Sequence, residues 1–395
     1  MSEVVDIDEE NFGTSVWMRL RALVRPLVVL STFGVLFAGF VTSYEPRRPD
    51  GGTVSLLGNE IVVLDWVTLC AVVVAVVALG PALGRRWRAI PGAVRKFGRD
   101  RVAGVTALVL LGLVALGTFG PVFVAENAFD PAFQYNPPAG ASVENFIPNQ
   151  CAGTVTNGGT TCRGDTTYLL GTDSSGGEIL GAVVHGLRTS LQVGLSAAVI
   201  AGGIGTLVGL LSGTVGGRLD TLLMRYVDLQ MAIPSFFVYA LLTLVLSTPG
   251  DLALMVVVFG LLSWGGLAKL VRSEVLQVRE QLYVTSAQAA GASPLYRLRK
   301  HVLPNVSTGV LVPLTTLVPL YVLYEAALSF LELGASANER VSLGRKIAEG
   351  FREPMFSWWE VWWVAVFPAL AVTGLTVTLL LTGDRVSDLL DPRSY

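Results

Sequence analysis

Charge is scarce in this chain: only 15% of its 395 residues are Asp, Glu, Lys or Arg, against about 25% in a soluble domain. That scarcity excludes an ordinary water-exposed globule. A net charge of −2 argues against a surface built to follow phosphates, so no nucleic-acid partner is expected. Three cysteines make no disulfide framework. The only two histidines, His185 and His301, stand far apart. Neither a His-Glu-x-x-His motif nor a Gly-x-Ser-Gly motif occurs, so no metal site and no intramembrane hydrolase is expected. A Gly-x-x-x-x-Gly-Lys-Ser/Thr loop is also missing, which leaves the chain without the usual means of binding ATP. No catalytic residue is nominated. The acidic N-terminus, with no small-residue cleavage site after a short apolar core, does not read as a cleavable signal peptide.

What the chain has in quantity is apolar sequence. Hydrophobic residues make up 52% of it, and the mean hydropathy is +0.59. Apolar runs lie at roughly 24–43, 61–83, 102–125, 188–213, 222–246, 252–271, 308–331 and 361–382, each near the ~20 residues that cross a bilayer. The expected fold is therefore an all-α integral membrane protein with about eight transmembrane helices, its termini on one side. With the N-terminus inside, the inner segments hold most of the 28 Lys and Arg residues. The positive-inside rule then makes both termini cytoplasmic. One inner segment, 84–101, is dense in arginine. The loop at about 126–187 is polar, carries Arg163 as its single basic residue, and falls outside, whereas the segment at about 272–307 falls in the cytoplasm.

Ionisable and reactive groups within this frame have both bland and functional readings. Cys151 and Cys162 share the polar loop and either pair there or remain two loop thiols; Cys70 lies in an apolar run. Arg225 and Asp228, three apart on one helix, can pair as an interface contact or serve in gating. Glu325, inside the 308–331 run, is a candidate for a translocation pathway or for an interhelical bond. Asp65 reads as an interfacial residue. Trp358, Trp359, Trp362 and Trp363 read as an aromatic belt. Gly202-Gly203-Ile204-Gly205 reads as a close-packing face.

The segment 283–305 stands apart, being polar and basic between two apolar runs. Ser286, Ala287, Ala289 and Ala290 lead to Gly291, where a helix can end. After Pro294 a second short helix can start, bearing Arg297, Arg299 and Lys300. Such a helix–turn–helix, with a small-residue face, suits the close approach of another protein. It is a docking element in form.

At these residues the chain resembles the transmembrane subunits of binding-protein-dependent ABC importers, whose cytoplasmic loop reads Glu-Ala-Ala, three residues, Gly, nine residues, Ile, one residue, Leu-Pro. Thr285 stands at the Glu place, Ser286 and Ala287 at the Ala places, Gly291 at the Gly, His301 at the Ile, and Leu303-Pro304 close the pattern. The His-Val-Leu-Pro-Asn ending is similar to the dipeptide/oligopeptide/nickel branch. Further matches follow in order: Leu170-Gly171-Thr172-Asp173-Ser174-Ser175-Gly176 in the outer loop, Gly186-Leu187-Arg188-Thr189-Ser190-Leu191, and Gly216-Gly217 with Asp220, Arg225, Asp228 and Pro234. Leu328-Ser329-Phe330-Leu331-Glu332-Leu333-Gly334, with Glu332 in place of a Gly, and Leu390-Asp391-Pro392-Arg393 complete them.

The resemblance covers residues 95–395 and implies a six-helix permease core of the C-type peptide-importer subunit. It leaves 1–94 as an extension with two helices. It further implies a second homologous permease subunit, two ATPase subunits that use ATP and Mg, an extracytoplasmic solute-binding protein, and a prokaryotic inner membrane. The cargo would be di- or oligopeptides, with nickel or another small solute as the alternative. Ala287 and Gly291 would admit the ATPase, and Arg297, Arg299 and Lys300 would face its acidic groups. A secondary transporter, the runner-up, would be expected to show internal repeats, and none is evident.

Overall fold

The computed structural model describes residues 54–56, 59–61, 63–86, 100–124, 130–144, 150–246, 252–334, 340–352 and 356–390. The expected helix at 24–43, most of the arginine-dense segment 84–101 and the terminal Asp391-Pro392-Arg393 lie outside the described residues. The chain divides into two compact units, Met1–Ile90 and Pro91–Tyr395. In the first, strands β1 (Val54–Leu56) and β2 (Asn59–Ile61) pair antiparallel ahead of helix α1 (Val63–Arg86). Asp65 sits in the first turn of α1, and Cys70 is an unbonded thiol further along it.

The second unit is a helical bundle. It begins with α2 (Arg101–Phe123), whose first turn is capped by Asp100 accepting from the Val102 and Ala103 amides. Next comes α3 (Ile179–Val215), 37 residues long and so about 55 Å from end to end. Helices α4 (Gly217–Ala232), α5 (Ser235–Leu246), α6 (Leu252–Leu262) and α7 (Gly265–Arg279) follow. The short α8 (Leu282–Ala289) and α9 (Pro294–Arg297) lead through a wide turn at Leu298–Val302 into α10 (Leu303–Phe330). Last are α11 (Leu343–Phe351) and α12 (Trp363–Leu390).

Among the described residues five stretches are long and apolar enough to cross a membrane, or six if α4 and α5 count as one bent span. The described apolar part of α1, Val63–Val77, is shorter than a span. The lipid-like character is visible on α2, where Leu108, Phe119 and Val122 are 71%, 66% and 78% exposed.

Three expectations need correction. The run 222–246 is not one straight helix, because α4 and α5 meet at 66°. Pro234 lacks an amide hydrogen and pushes the preceding residue out of helical geometry, and Ile233 is accordingly extended, with φ −107° and ψ 110°. The fold is not purely α. Besides β1 and β2, the loop after α2 holds an antiparallel sheet of β3 (Ser142–Glu144), β5 (Thr161–Arg163) and β4 (Thr154–Thr156), in that spatial order. That loop also ends earlier than 187, since the apolar residues 179–187 form the buried first turns of α3.

Packing along α3 explains its length. Gly205, Gly209 and Gly213 repeat at the spacing of one helix face and lie against α7. A Cβ on Gly209 would stand 2.6 Å from the Ala268 carbonyl oxygen, so only glycine lets the two backbones approach this closely. The N-terminal part of α3, up to Leu191, enters the core around Trp363, Leu343, Val322 and Tyr135.

Candidate functional site

The docking element expected at 283–305 is a projecting helical hairpin. Helix α8 ends where Gly291 adopts φ +83°, with Ala292 N donating to Ala287 O at 3.0 Å. This left-handed residue reverses the chain into α9. The hairpin is held from beneath by Val284, Val302 and Val306, all buried, the last two packed against Val271 and Val275 of α7.

Its far side is open. Thr285, Ser286, Gly291, Arg299, Lys300, Leu303 and Pro304 are exposed, and Ala287, Arg297 and His301 half-buried. Leu282 is 84% exposed, and a Cβ placed on Gly291 would meet nothing within 4 Å. The basic residues differ among themselves. Arg297 bonds Gln288 across the hairpin, and Lys300 donates to the Tyr296 hydroxyl at 2.7 Å. The His301 ring lies 5.9 Å from that of Tyr283 and 6.0 Å from that of Tyr296. The surface thus combines a small-residue gap at Ala287 and Gly291 with exposed apolar and basic groups around it.

Next to the hairpin, α4 is tied to α7 by ion pairs. Asp220 receives Arg272 through two bonds of 2.6 and 2.7 Å and also accepts from Ser212 of α3. Asp228 pairs with Lys269 at 2.6 Å. The expected pair of Arg225 with Asp228 is therefore corrected: a long lysine reaching across from α7 takes the carboxylate, and Arg225 is exposed.

The opposite end of the bundle carries a polar clasp. Glu325 is fully buried. It accepts from Ser190 of α3 at 2.8 Å, from Ser342 at the start of α11 at 2.6 Å, and from Ser329 of its own helix at 3.0 Å. Of its two readings, interhelical bonding is the one realised. In the Gly171-Thr172-Asp173-Ser174-Ser175-Gly176 turn, Thr172 and Asp173 are equally enclosed. Asp173 accepts from the Ser175 and Gly177 amides, each at 2.8 Å, and from Lys346 of α11 at 2.5 Å. Lys346 also reaches Glu349 at 2.8 Å, and Glu349 accepts from Ser174 at 2.5 Å.

Burial opposes the Asp173 carboxylate, yet the Lys346 ammonium and the bonds around it outweigh burial and hold its carboxyl below the ordinary range. Burial likewise opposes the charge of Lys346, and Glu349 and Asp173 keep it above the ordinary lysine value. Thr172 accepts from the Asn136 amide at 2.8 Å and donates to the Phe133 carbonyl at 2.6 Å. At Gly176, φ +79° and the Asp130 carbonyl leave no room for a side chain. Cys151 and Cys162 form a disulfide.

Lys346, Glu349 and Ser342 drew no notice in the sequence, since nothing in a 332–360 loop marks an amphipathic helix as a partner of residues 170 positions earlier. The reading of Trp363 as part of an aromatic belt is also corrected. It is fully buried and donates to the Thr172 carbonyl at 3.0 Å, while Trp358 and Trp359 stay 46% and 62% exposed. Glu332, where the resembled motif has Gly, takes φ +62° and pairs with Arg352. Among the described residues no group of three His, Cys, Asp or Glu side chains is placed to hold a metal ion.

Residues 205–394 match the family described as binding-protein-dependent transport system inner membrane component. The oligopeptide transport system permease protein OppC of Bacillus subtilis is 35% identical over 226 residues, which is 57% of this chain and 72% of that protein. The chain belongs to this family. It is thus an integral membrane subunit of a transport system. OppC of Mycobacterium bovis is 33% identical over 229 residues, covering 58% of this chain and 77% of its own. The dipeptide permease DppC of Lactococcus lactis is 33% identical over 227 residues, and the match spans 64% of that relative and 58% of this chain. Among solved structures, a chain of the MetNI methionine ABC transporter in an inward-facing conformation overlaps 53% of this chain and 96% of its own, at 19% identity and a TM-score of 0.43.

Proposed function

We propose that this chain is the permease subunit of an ATP-driven importer that takes up di- or oligopeptides delivered by an extracytoplasmic binding protein. The observation that carries the reading is the sequence identity to permeases named for dipeptide and oligopeptide transport, beside a family match over residues 205–394 that includes the projecting hairpin. In this reading the chain crosses a prokaryotic inner membrane eight times with both termini in the cytoplasm, and residues 1–94 are an added two-helix extension. It lines a pathway together with a second, homologous permease. Two separate ATPase subunits bind ATP and Mg and seat on the hairpin, Ala287 and Gly291 admitting their surface and Arg299 meeting their acidic groups. Closure of the ATPases displaces the hairpin and tips the bundle between outward- and inward-facing states. The cargo undergoes no covalent change here.

The test is purification from gently solubilised native membranes, with identification of the co-purifying chains and peptide uptake by reconstituted vesicles. Recovery of a second permease and two ATPases, with uptake that needs ATP, supports the reading. Gly291→Glu should abolish uptake and shed the ATPases while the subunit stays in the membrane, because the open space beside Gly291 is where the partner sits. Recovery of the chain alone, with uptake driven by an ion gradient, would overturn the proposal.

A further inference from the structure

Three helices converge on one carboxylate beside the hairpin. Asp220 of α4 accepts from Ser212 near the end of α3 and takes both nitrogens of Arg272 from α7. Arg279, in the last turn of α7, donates to the Gly213 carbonyl of α3, and the glycine face of α3 brings the two backbones together along the same contact. A second ion pair, Asp228 with Lys269, joins α4 to α7 eight residues further along α4, about 12 Å away. One such contact is a pivot. Two at this separation also resist rotation, so they constrain the angle between α4 and α7 as well as their distance.

What these helices connect to gives the arrangement its meaning. Helix α7 runs into the projecting hairpin within three residues, from Arg279 to Leu282. Helix α4 runs into the 66° bend at Pro234 and from there into α5, whose Phe237, Leu241 and Leu244 form an exposed apolar face. A push on the hairpin therefore reaches the bend through the ion pairs.

We infer that Asp220 and Asp228, through Arg272 and Lys269, are positioning residues that make α4 travel as one body with the hairpin arm and so carry its displacement to the α4–α5 bend. The inference rests on the proposed function, in which ATPases act on the hairpin.

The reconstituted transporter tests it. The exposed pair is the place to start, since the Lys269 and Asp228 side chains are 44% and 62% accessible and the bundle does not depend on them for its core. Asp228→Lys and Lys269→Asp should each lower peptide import roughly tenfold, within the range typical of coupling energies, while ATP hydrolysis continues and the complex is recovered intact. Combining them restores an ion pair of reversed polarity and should restore the import-to-hydrolysis ratio.

A second measurement addresses motion directly. In the double variant D228C/K269C, which lacks the ion pair, a short thiol-reactive cross-linker should raise import back toward the unaltered level, because it ties together helices that do not move apart. Import at the normal ratio in both single variants, or its arrest by the cross-linker, would overturn the inference. Import without ATP hydrolysis by the unaltered complex would instead overturn the function reading, and the clamp would then have nothing to carry.

Discussion

Glu325 shows how a single side chain can be costly and yet indispensable. An ionisable group deep in a membrane bundle loses its hydration, and the loss is offset only when its lone pairs are taken up. Three serine hydroxyls from α3, α10 and the start of α11 do this. Removing the acceptor while leaving the donors takes the partner from the buried Ser190 and Ser342 hydroxyls, and a buried hydroxyl costs about 1–3 kcal/mol when unpaired. Glu325→Ala is therefore expected to lower the stability of the purified subunit by about 3 kcal/mol or more, and Glu325→Gln by clearly less, since the amide oxygen still accepts. Thermal unfolding in detergent measures both, and an undiminished stability of Glu325→Ala would show that the hydroxyl bonds do not hold these helices together. Glu332 illustrates the opposite economy: it occupies a left-handed conformation that favours glycine, and its exposed pairing with Arg352 is the contact a glycine there would forfeit.

At the scale of elements, α11 fastens the loop after α2 to the bundle, and its charges make that fastening depend on pH. The Asp173 carboxyl is held below its ordinary value of 3.8. A depressed carboxylate contributes stability that is fully present above the unfolded value and lost as pH falls through the folded one. Lys346 is held above its ordinary 10.5, so its contribution is complete below that value and lost only as pH rises through the higher folded value. Across the whole neutral range both are at full strength. Amide exchange of Ser175 and Gly177, corrected for intrinsic rates, should stay slow through neutrality and accelerate only below pH 3.8. Lys346→Met leaves Asp173 buried without its ammonium, so the onset should move to higher pH. An unmoved onset would remove Lys346 as the cause.

For the whole molecule, every contact assigned a role here lies within Pro91–Tyr395, the larger of the two compact units. A chain lacking residues 1–90 should therefore reach the membrane, unfold at an unchanged temperature and retain ATP-dependent peptide import in the reconstituted complex. Loss of thermal stability in that variant would show that the first unit props up the second. Loss of import alone would give the first unit a part in transport.

The legible part of this protein was written in short-range patterns. Apolar run length announces the bilayer, because a span needs a fixed number of residues whatever it packs against. The hairpin at 283–305 was legible as well, since Gly291 and Pro294 act on their own backbone and need no distant partner. The side-chain partners were not. Asp228 had an obvious neighbour in Arg225 three residues away and bonds Lys269 on another helix; Trp363 sat among tryptophans in sequence and is buried under the Thr172 turn. Whether the Cys151 and Cys162 thiols met was left open by sequence, and the β3–β5–β4 sheet brings them together. Asp173 and Lys346 are 173 residues apart, and no local rule links them. A backbone conformation follows from the residue that adopts it, whereas a partner across the bundle is chosen by which helix faces come to lie together, and that is a property of the folded chain alone.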